Sequence, residues 1–359
     1  MTLEHALPSI PALDEVAMDA ARRHLDRLTK PPGSLGRLEE LVVLLAGITG
    51  RVDAPLGHRR IVLAAGDHGV TAQHVSAYPS GVTAQMVGNF VAGGAAINAL
   101  AASIGATVTV VDVGVAGPLP PVTDRGAIGG RLVLARLRDG TADLSEGPAM
   151  SRRDAVSAIE VGLRVVEDVR ERERLDVLGV GEMGIGNTTS ASAIVAAFTG
   201  LPADRVTGRG TGVDDATLRH KVRIVERALE ANHPDPGDPI GTLAALGGFE
   251  VAALVGLIVG GAAARVPVIL DGFITGAAAL VADALCPAIA GHLIASHRSV
   301  EAGHAAVLER LALRPLLDLD LRLGEGTGAA LAMPLLVAAG RMRDQMATFD
   351  SASVAGPAG

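Results

Sequence analysis

The sequence predicts an α/β fold, an open and mainly parallel sheet flanked by helices in the Rossmann-like manner. Three observations carry the prediction. Short apolar runs alternate with stretches of helical period along the chain. Several of those runs end directly in a polar glycine turn: Gly66-Asp67-His68-Gly69, Asp112-Val113-Gly114, Gly181-Glu182-Met183-Gly184, Asp271-Gly272-Phe273 and Ser296-His297-Arg298-Ser299. The residues are 49% hydrophobic but only 2% aromatic, so Ala, Val, Leu and Ile must fill the core. In an open parallel sheet, ligands sit outside the carboxyl ends of the strands, and turns of this kind would line one crevice there.

Taken in order, Ala12–Thr29 places Leu13, Val16, Ala17, Ala20, Ala21, Leu25 and Leu28 at helical spacing, and Pro31-Pro32 stops it. Arg37–Ile48 reads as a second helix. Arg60–Ala65 is a strand, Val75–Gly81 a loop with the single tyrosine, Tyr78, and Val82–Leu100 a helix that bears Met86. Ala106–Val113 is β-branched and extended, 116–130 a Pro/Gly loop and Arg131–Leu137 a further strand. Met150–Arg170 is helical.

The central stretch follows. Val177–Val180 suits a buried strand, glycines 179, 181, 184 and 186 break it into a turn with Glu182 inside it, and a helix restarts at Asn187-Thr188-Thr189-Ser190. Backbone N–H groups of such a turn approach a ligand closely, and the helix dipole favours an anion. A plain strand-to-helix turn is the alternative. A second glycine turn, Thr207–Asp215 with Gly208 and Gly210, leads into a helix that carries Lys221 to about Ala231. Leu243–Ala264 is an apolar helix, Val266–Leu270 and His292–Ala295 are strands, and 300–320 is helical with Pro315 interrupting. A last helix follows Gly328, and 351–359 frays.

Composition narrows the functions. A net charge of −8 with no basic block argues against a nucleic-acid surface. One cysteine, Cys286, excludes an intrachain disulfide framework and a multi-thiolate metal site. The charge-free stretches Val251–Ala264 and Gly326–Gly340 are too short to span a membrane, and the N-terminus lacks the pattern of a signal peptide, so a cytoplasmic protein is expected. Asp67 and His68 are two metal-type ligands where more are needed, and no HExxH or CxxC is present, so no metal or cofactor is expected.

Among the turn residues, Glu325 stands out. Glycines flank it and an apolar helix follows, a setting that desolvates the carboxyl, raises its pKa and suits it to accept a proton near neutrality. Of the 31 basic residues only Lys30 and Lys221 are lysines. Lys221 could reach a phosphate as a point charge or be an ordinary helix lysine.

As a set, KPPGSLGRLE (30–39), GDHGV (66–70), YPSGVTAQM (78–86), GEMGIGNTTSA (181–191), GRGTGVDD (208–215), LGGFE (246–250) and RLGEGTGAALAMPLL (322–336) resemble the nicotinate-nucleotide:dimethylbenzimidazole phosphoribosyltransferase family over about residues 10 to 345. The resemblance implies transfer of 5-phosphoribosyl from nicotinate mononucleotide to 5,6-dimethylbenzimidazole, yielding α-ribazole 5′-phosphate for the cobalamin nucleotide loop. It implies Glu325 as general base and Glu182 as a second carboxylate. Lys221, Gly184 and Gly210 would cradle the phosphate, with Gly186, Asn187, Thr188 and Gly208 in the same turns, and Tyr78, Met86 and Leu323 would wall the aromatic acceptor. It also implies a homodimer, and a small helical domain built from 1–50 and 326–359 beside a catalytic domain of 51–325. Two other readings use the same residues: transfer to another base or a phenol, and nucleotide binding without turnover.

Overall fold

The computed structural model describes residues 1–119, 121 and 129–356. Much of the expected loop at 116–130 and the last residues of the expected frayed tail lie outside these. In chain order the elements are α1 (Leu3–Ala6), α2 (Glu15–Arg27), α3 (Arg37–Thr49), β1 (Arg59–Gly66), α4 (Val82–Ala92), α5 (Ala96–Ser103), β2 (Thr107–Gly114), β3 (Arg131–Leu134), α6 (Arg152–Arg172) and β4 (Val177–Met183). They continue with α7 (Asn187–Thr199), α8 (Ala203–Val206), α9 (Asp215–Asn232), α10 (Pro239–Leu246), α11 (Phe249–Ala263), β5 (Val268–Leu270), α12 (Phe273–Leu285), β6 (Leu293–Ala295), α13 (His304–Arg310), α14 (Thr327–Gln345) and α15 (Phe349–Ala352).

The six strands form one sheet in the order β3-β2-β1-β4-β5-β6, and every neighbouring pair is parallel. This is the doubly wound order, whose direction of growth reverses between β1 and β4. Both faces are covered, as a parallel sheet requires. Successive side chains point to opposite faces: Val62 and Ala64 of β1 join one core with α6, α7, α11 and α12, while Ile61, Leu63 and Ala65 join another with α2, α3, α4, α5 and α14. Phe249–Ala263 is apolar all round because it is buried almost all round.

The N- and C-terminal segments meet. α14 packs on α3, α3 on α2, and a short antiparallel bridge joins Leu28 to Thr348. Asp14 caps α2 by accepting from the Ala17 N–H at 2.9 Å, and Ser151 caps α6 through the Asp154 N–H, each worth about 1 kcal/mol. Lys30 turns inward onto Glu39 at 2.8 Å.

The structure corrects several expected elements. The helix expected over Val82–Leu100 is two, because Gly93 takes a left-handed φ of 90° and ends the first. Residues 82–103 are together apolar and long enough for a membrane span, but the break divides them. The helix expected over Leu243–Ala264 also divides, at Gly247, whose backbone is extended. β3 stops at Leu134 rather than Leu137. Of the helical segment expected over 300–320 only His304–Arg310 is helical. Pro315 lacks an N–H, and beyond it the chain runs beside 296–300, with Arg298 and Val300 donating to the carbonyls of Leu317 and Leu321. Finally, β4 continues past Val180 to Met183, so Glu182 belongs to the strand and not to the turn.

Candidate active site

At the carboxyl edge of β4, β5 and β6 lies a cavity of about 730 Å³. Its floor is the end of β4. Glu182 points into it, buried, and accepts a short hydrogen bond from the Asn187 side chain at the start of α7. Burial raises the Glu182 pKa to about 8, with further push from the charges of Asp271, Glu250 and Glu325 against the pull of Asn187. Glu182 is therefore a carboxyl that keeps its proton to higher pH than an ordinary glutamate.

Glu325 sits on a turn with three consecutive positive φ values, 78° at Gly324, 61° at Glu325 and 74° at Gly326. The left-handed region costs a non-glycine residue about 1–2 kcal/mol, so something must hold it. Asp271, at the end of β5, does so. Its two carboxylate oxygens accept from the N–H groups of Gly326 at 2.9 Å, Gly328 at 2.7 Å and Ala329 at 3.3 Å, which also caps α14. Burial, and then the Asp271 charge, raise the Glu325 pKa to about 7. A side chain at Gly324 would collide with Glu182 Oε1, so the turn lies directly on the second carboxylate. On the other side of the turn, a Cβ at Gly181 would collide with the Gly326 backbone; only glycine lets β4 and the turn come this close.

Lys221 reaches the back of the same region from α9. Its ammonium donates to Thr188 Oγ1 at 2.7 Å and the Gly208 carbonyl at 3.3 Å. Burial pulls its pKa down to about 8, with Glu301 opposing.

Of the residues singled out in the sequence, Glu325, Glu182, Gly184, Asn187, Thr188, Gly210, Tyr78, Met86 and Leu323 line the cavity. Three do not. Lys221 is screened from it by Thr188 and Gly210. Gly208 packs behind, where a side chain would collide with Glu301. Gly186, with φ 95°, faces His68, Val70 and Thr71 on the far side of the turn. The Asp67–His68 pair forms no metal pair: His68 is engaged by Glu250, and Asp67 accepts from the Ala116 N–H. Among the described residues, no group of three or more His, Cys, Asp or Glu side chains is placed to hold a metal ion.

The cavity also contains residues that sequence reasoning leaves out of the site. Asp271 and His297 stand among the turn acids and bases without an assigned role; Glu301, Phe273 and Arg322 have none at all. The available signal is position, since Asp271 and His297 closely follow β5 and β6.

A doubly wound sheet with a crevice at its carboxyl edge, lined by two carboxyls of raised pKa, is an α/β arrangement able to take up and return a proton beside a bound ligand. The chain belongs to the phosphoribosyltransferase family whose model matches residues 10–354. It is 55% identical to the nicotinate-nucleotide--dimethylbenzimidazole phosphoribosyltransferase of Chloroflexus aggregans over 352 residues, 98% of each chain. It is 52% identical to the enzyme of that name from Roseiflexus sp., over 99% of this chain and 98% of the relative. A crystal structure of the corresponding enzyme from Thermus thermophilus matches with a TM-score of 0.88 at 46% identity, covering 96% of this chain and all of that one.

Proposed function

We propose that this chain transfers the 5-phosphoribosyl group of nicotinate mononucleotide to 5,6-dimethylbenzimidazole, releasing nicotinate and forming α-ribazole 5′-phosphate for cobalamin synthesis. The carrying observation is the Glu325 carboxyl, held on a strained turn at the cavity with its pKa raised to about 7. A base that must take a proton at neutral pH works best with a pKa there.

The chemistry needs little else. The glycosidic nitrogen of the donor is cationic, so when the C1′–N bond breaks its electron pair leaves a neutral pyridine ring without prior protonation. The sugar carbon passes through an oxocarbenium-like state, as in glycoside transfer. The acceptor's bare ring nitrogen bonds to C1′, and the proton on its other nitrogen goes to Glu325. Glu182, next to the Glu325 turn, supports the cationic centre once that charge favours its ionised form. Thr188, Gly184, Asn187 and Gly210 serve the phosphate end, with Lys221 behind them; Gly186 and Gly208 shape the two turns without facing the ligand. Lys221 acts through the Thr188 hydroxyl or by a small shift past it. Tyr78, Met86 and Leu323 wall the flat acceptor; Tyr78 and Leu323 lie exposed at the cavity, as residues that close over a ligand would.

The same reading takes the chain as a cytoplasmic homodimer, with 51–325 as catalytic unit and 1–50 with 326–359 as a smaller helical unit. α3 packs on both α2 and α14, and α14 also packs on β1, β4 and β5, so the smaller unit shares its core with the sheet. The test is chromatographic. Protein incubated with nicotinate mononucleotide and 5,6-dimethylbenzimidazole should yield nicotinate and α-ribazole phosphate in equal amounts. Transfer only to another base or a phenol would change the acceptor, and tight donor binding with no transfer to any acceptor would overturn the enzymatic reading.

A further inference from the structure

Two sequence motifs, GDHG after β1 and LGGFE at the start of α11, contribute nothing to the cavity lining. They meet beneath it. His68 Nε2 and Glu250 Oε1 lie 2.6 Å apart, and both side chains are wholly buried. Burial disfavours an imidazolium, yet the neighbouring Glu250 and Asp67 outweigh it and raise the His68 pKa.

The surroundings are shaped to this pair. A side chain at Gly248 would collide with both partners, and a Cβ at Gly66 would stand 2.9 Å from Glu250 Oε2. The pair is in turn the ground under the turn of the active site. A Cβ at Gly184 would lie 2.4 Å from the Gly66 carbonyl and 3.4 Å from both Glu250 Oε1 and the Asn187 amide, and one at Gly186 would lie 2.9 Å from Thr71 Cγ2 and 3.3 Å from His68 Cβ, so the two motifs and the pair together underlie the turn. The Ile185 N–H between them is tied to Thr83 Oγ1 at 3.1 Å.

We propose that the buried His68–Glu250 pair is a positioning device for phosphoribosyl transfer: it supports the turn at 184–187 from below and so fixes Asn187, and through it Glu182, at the cavity floor. The inference rests on the functional reading above. A buried ion pair contributes little net stability compared with apolar residues of the same volume, so packing alone does not account for charge at this place. Its geometry does, because one short contact joins two motifs that flank the turn from different elements.

The experiment compares wild type, Glu250→Gln and the double variant His68→Gln/Glu250→Gln. Nicotinate release gives kcat, and calorimetric titration with nicotinate mononucleotide counts donor-binding sites. In Glu250→Gln, kcat per donor-binding site should fall about 10- to 100-fold, the scale of a misplaced reactive group, with donor Kd rising alongside because the same turn faces the donor. The double variant removes both partners of the 2.6 Å contact and leaves Asp67 its hydrogen bond from the Ala116 N–H, so its thermal midpoint should recover part of the loss while kcat per site stays low. Recovery of kcat together with stability would make the pair merely structural and overturn the proposal, as would a kcat per site within about twofold of wild type in either variant. If Glu250→Gln does not fold, the double variant decides on the same criterion. Wild type that releases no nicotinate would instead overturn the functional reading itself.

Discussion

Asp271→Asn isolates the device that holds Glu325, the base proposed above. The wild-type carboxylate accepts three backbone N–H groups, from Gly326, Gly328 and Ala329. An amide offers one oxygen. If that oxygen serves Gly328 and Ala329, the NH₂ faces the Gly326 N–H, donor against donor. A hydrogen bond to a charged acceptor contributes about 1.5–3 kcal/mol; release of the left-handed Glu325 and of the buried Asp271 charge, whose pKa burial raises, offsets part of that, so the folded state loses about 1–2 kcal/mol. An unfolding entropy of about 2.1 cal/mol/K per residue gives about 0.75 kcal/mol/K for this chain, and the thermal midpoint should drop roughly 1–3 °C. The electrostatic effect has its own sign. The Asp271 charge helps raise the Glu325 pKa. Without it Glu325 loses its proton at lower pH, and because the base acts deprotonated, the acidic limb of kcat/KM, near pH 7 in wild type, should move to lower pH even as the plateau falls. Nicotinate release across the acidic and neutral range and a melting curve provide both numbers. A limb that stays in place or moves to higher pH refutes the electrostatic argument; an unchanged midpoint refutes the clamp.

Three further outcomes are expected. Glu325→Gln should keep donor binding and lose about 10²- to 10⁴-fold in transfer, the usual worth of a positioned base, and the limb near pH 7 should vanish; wild-type turnover would remove Glu325 from that role. Lys221 is charged below its lowered pKa of about 8, so kcat/KM for the donor should fall as pH rises through 8. Lys221→Met should abolish that limb and raise donor KM about 10- to 100-fold, consistent with a lost charge-assisted bond, yet raise the thermal midpoint, because the buried ammonium carries a desolvation cost; an unchanged KM would separate Lys221 from the phosphate. Gly181→Ala forces a methyl into the Gly326 backbone and should cost about 1–3 kcal/mol of stability by overpacking and most of the transfer, as calorimetry and nicotinate release would show; a stable, fully active variant would mean that the close approach is not needed.

The sheet can be read from the chain because the strands are short apolar runs, and β1, β2, β4 and β5 run directly into glycine-containing turns, a local pattern. Glu325 can be read for a similar reason: its glycine neighbours are adjacent in sequence. Glu182 falls in the turn on a sequence reading because glycines 179 and 181 look like turn residues. They are in fact strand positions, small so that Met333, Ala329 and Gly326 can pack across them. That reason lies about 150 residues away. The same holds for Asp271, whose partners are at the start of α14, and for Glu250, whose partner follows the end of β1. The breaks at Gly93 and Gly247 divide runs whose apolar period continues on both sides, so periodicity alone passes over them.

α14 carries one more consequence. It covers the central strands on one face and is anchored by Asp271, and it follows all six strands in the chain. A growing polypeptide therefore completes these strands with that face covered by α2, α3, α4 and α5 but still without α14 and the Glu325 turn. Until α14 is made, the part of the Ile61, Leu63 and Ala65 surface that it covers stays open to association with other chains. The docking of α14 on Asp271 closes the core and sets the Glu325 turn together, so an incompletely made molecule has neither the finished core nor the carboxyl proposed as base.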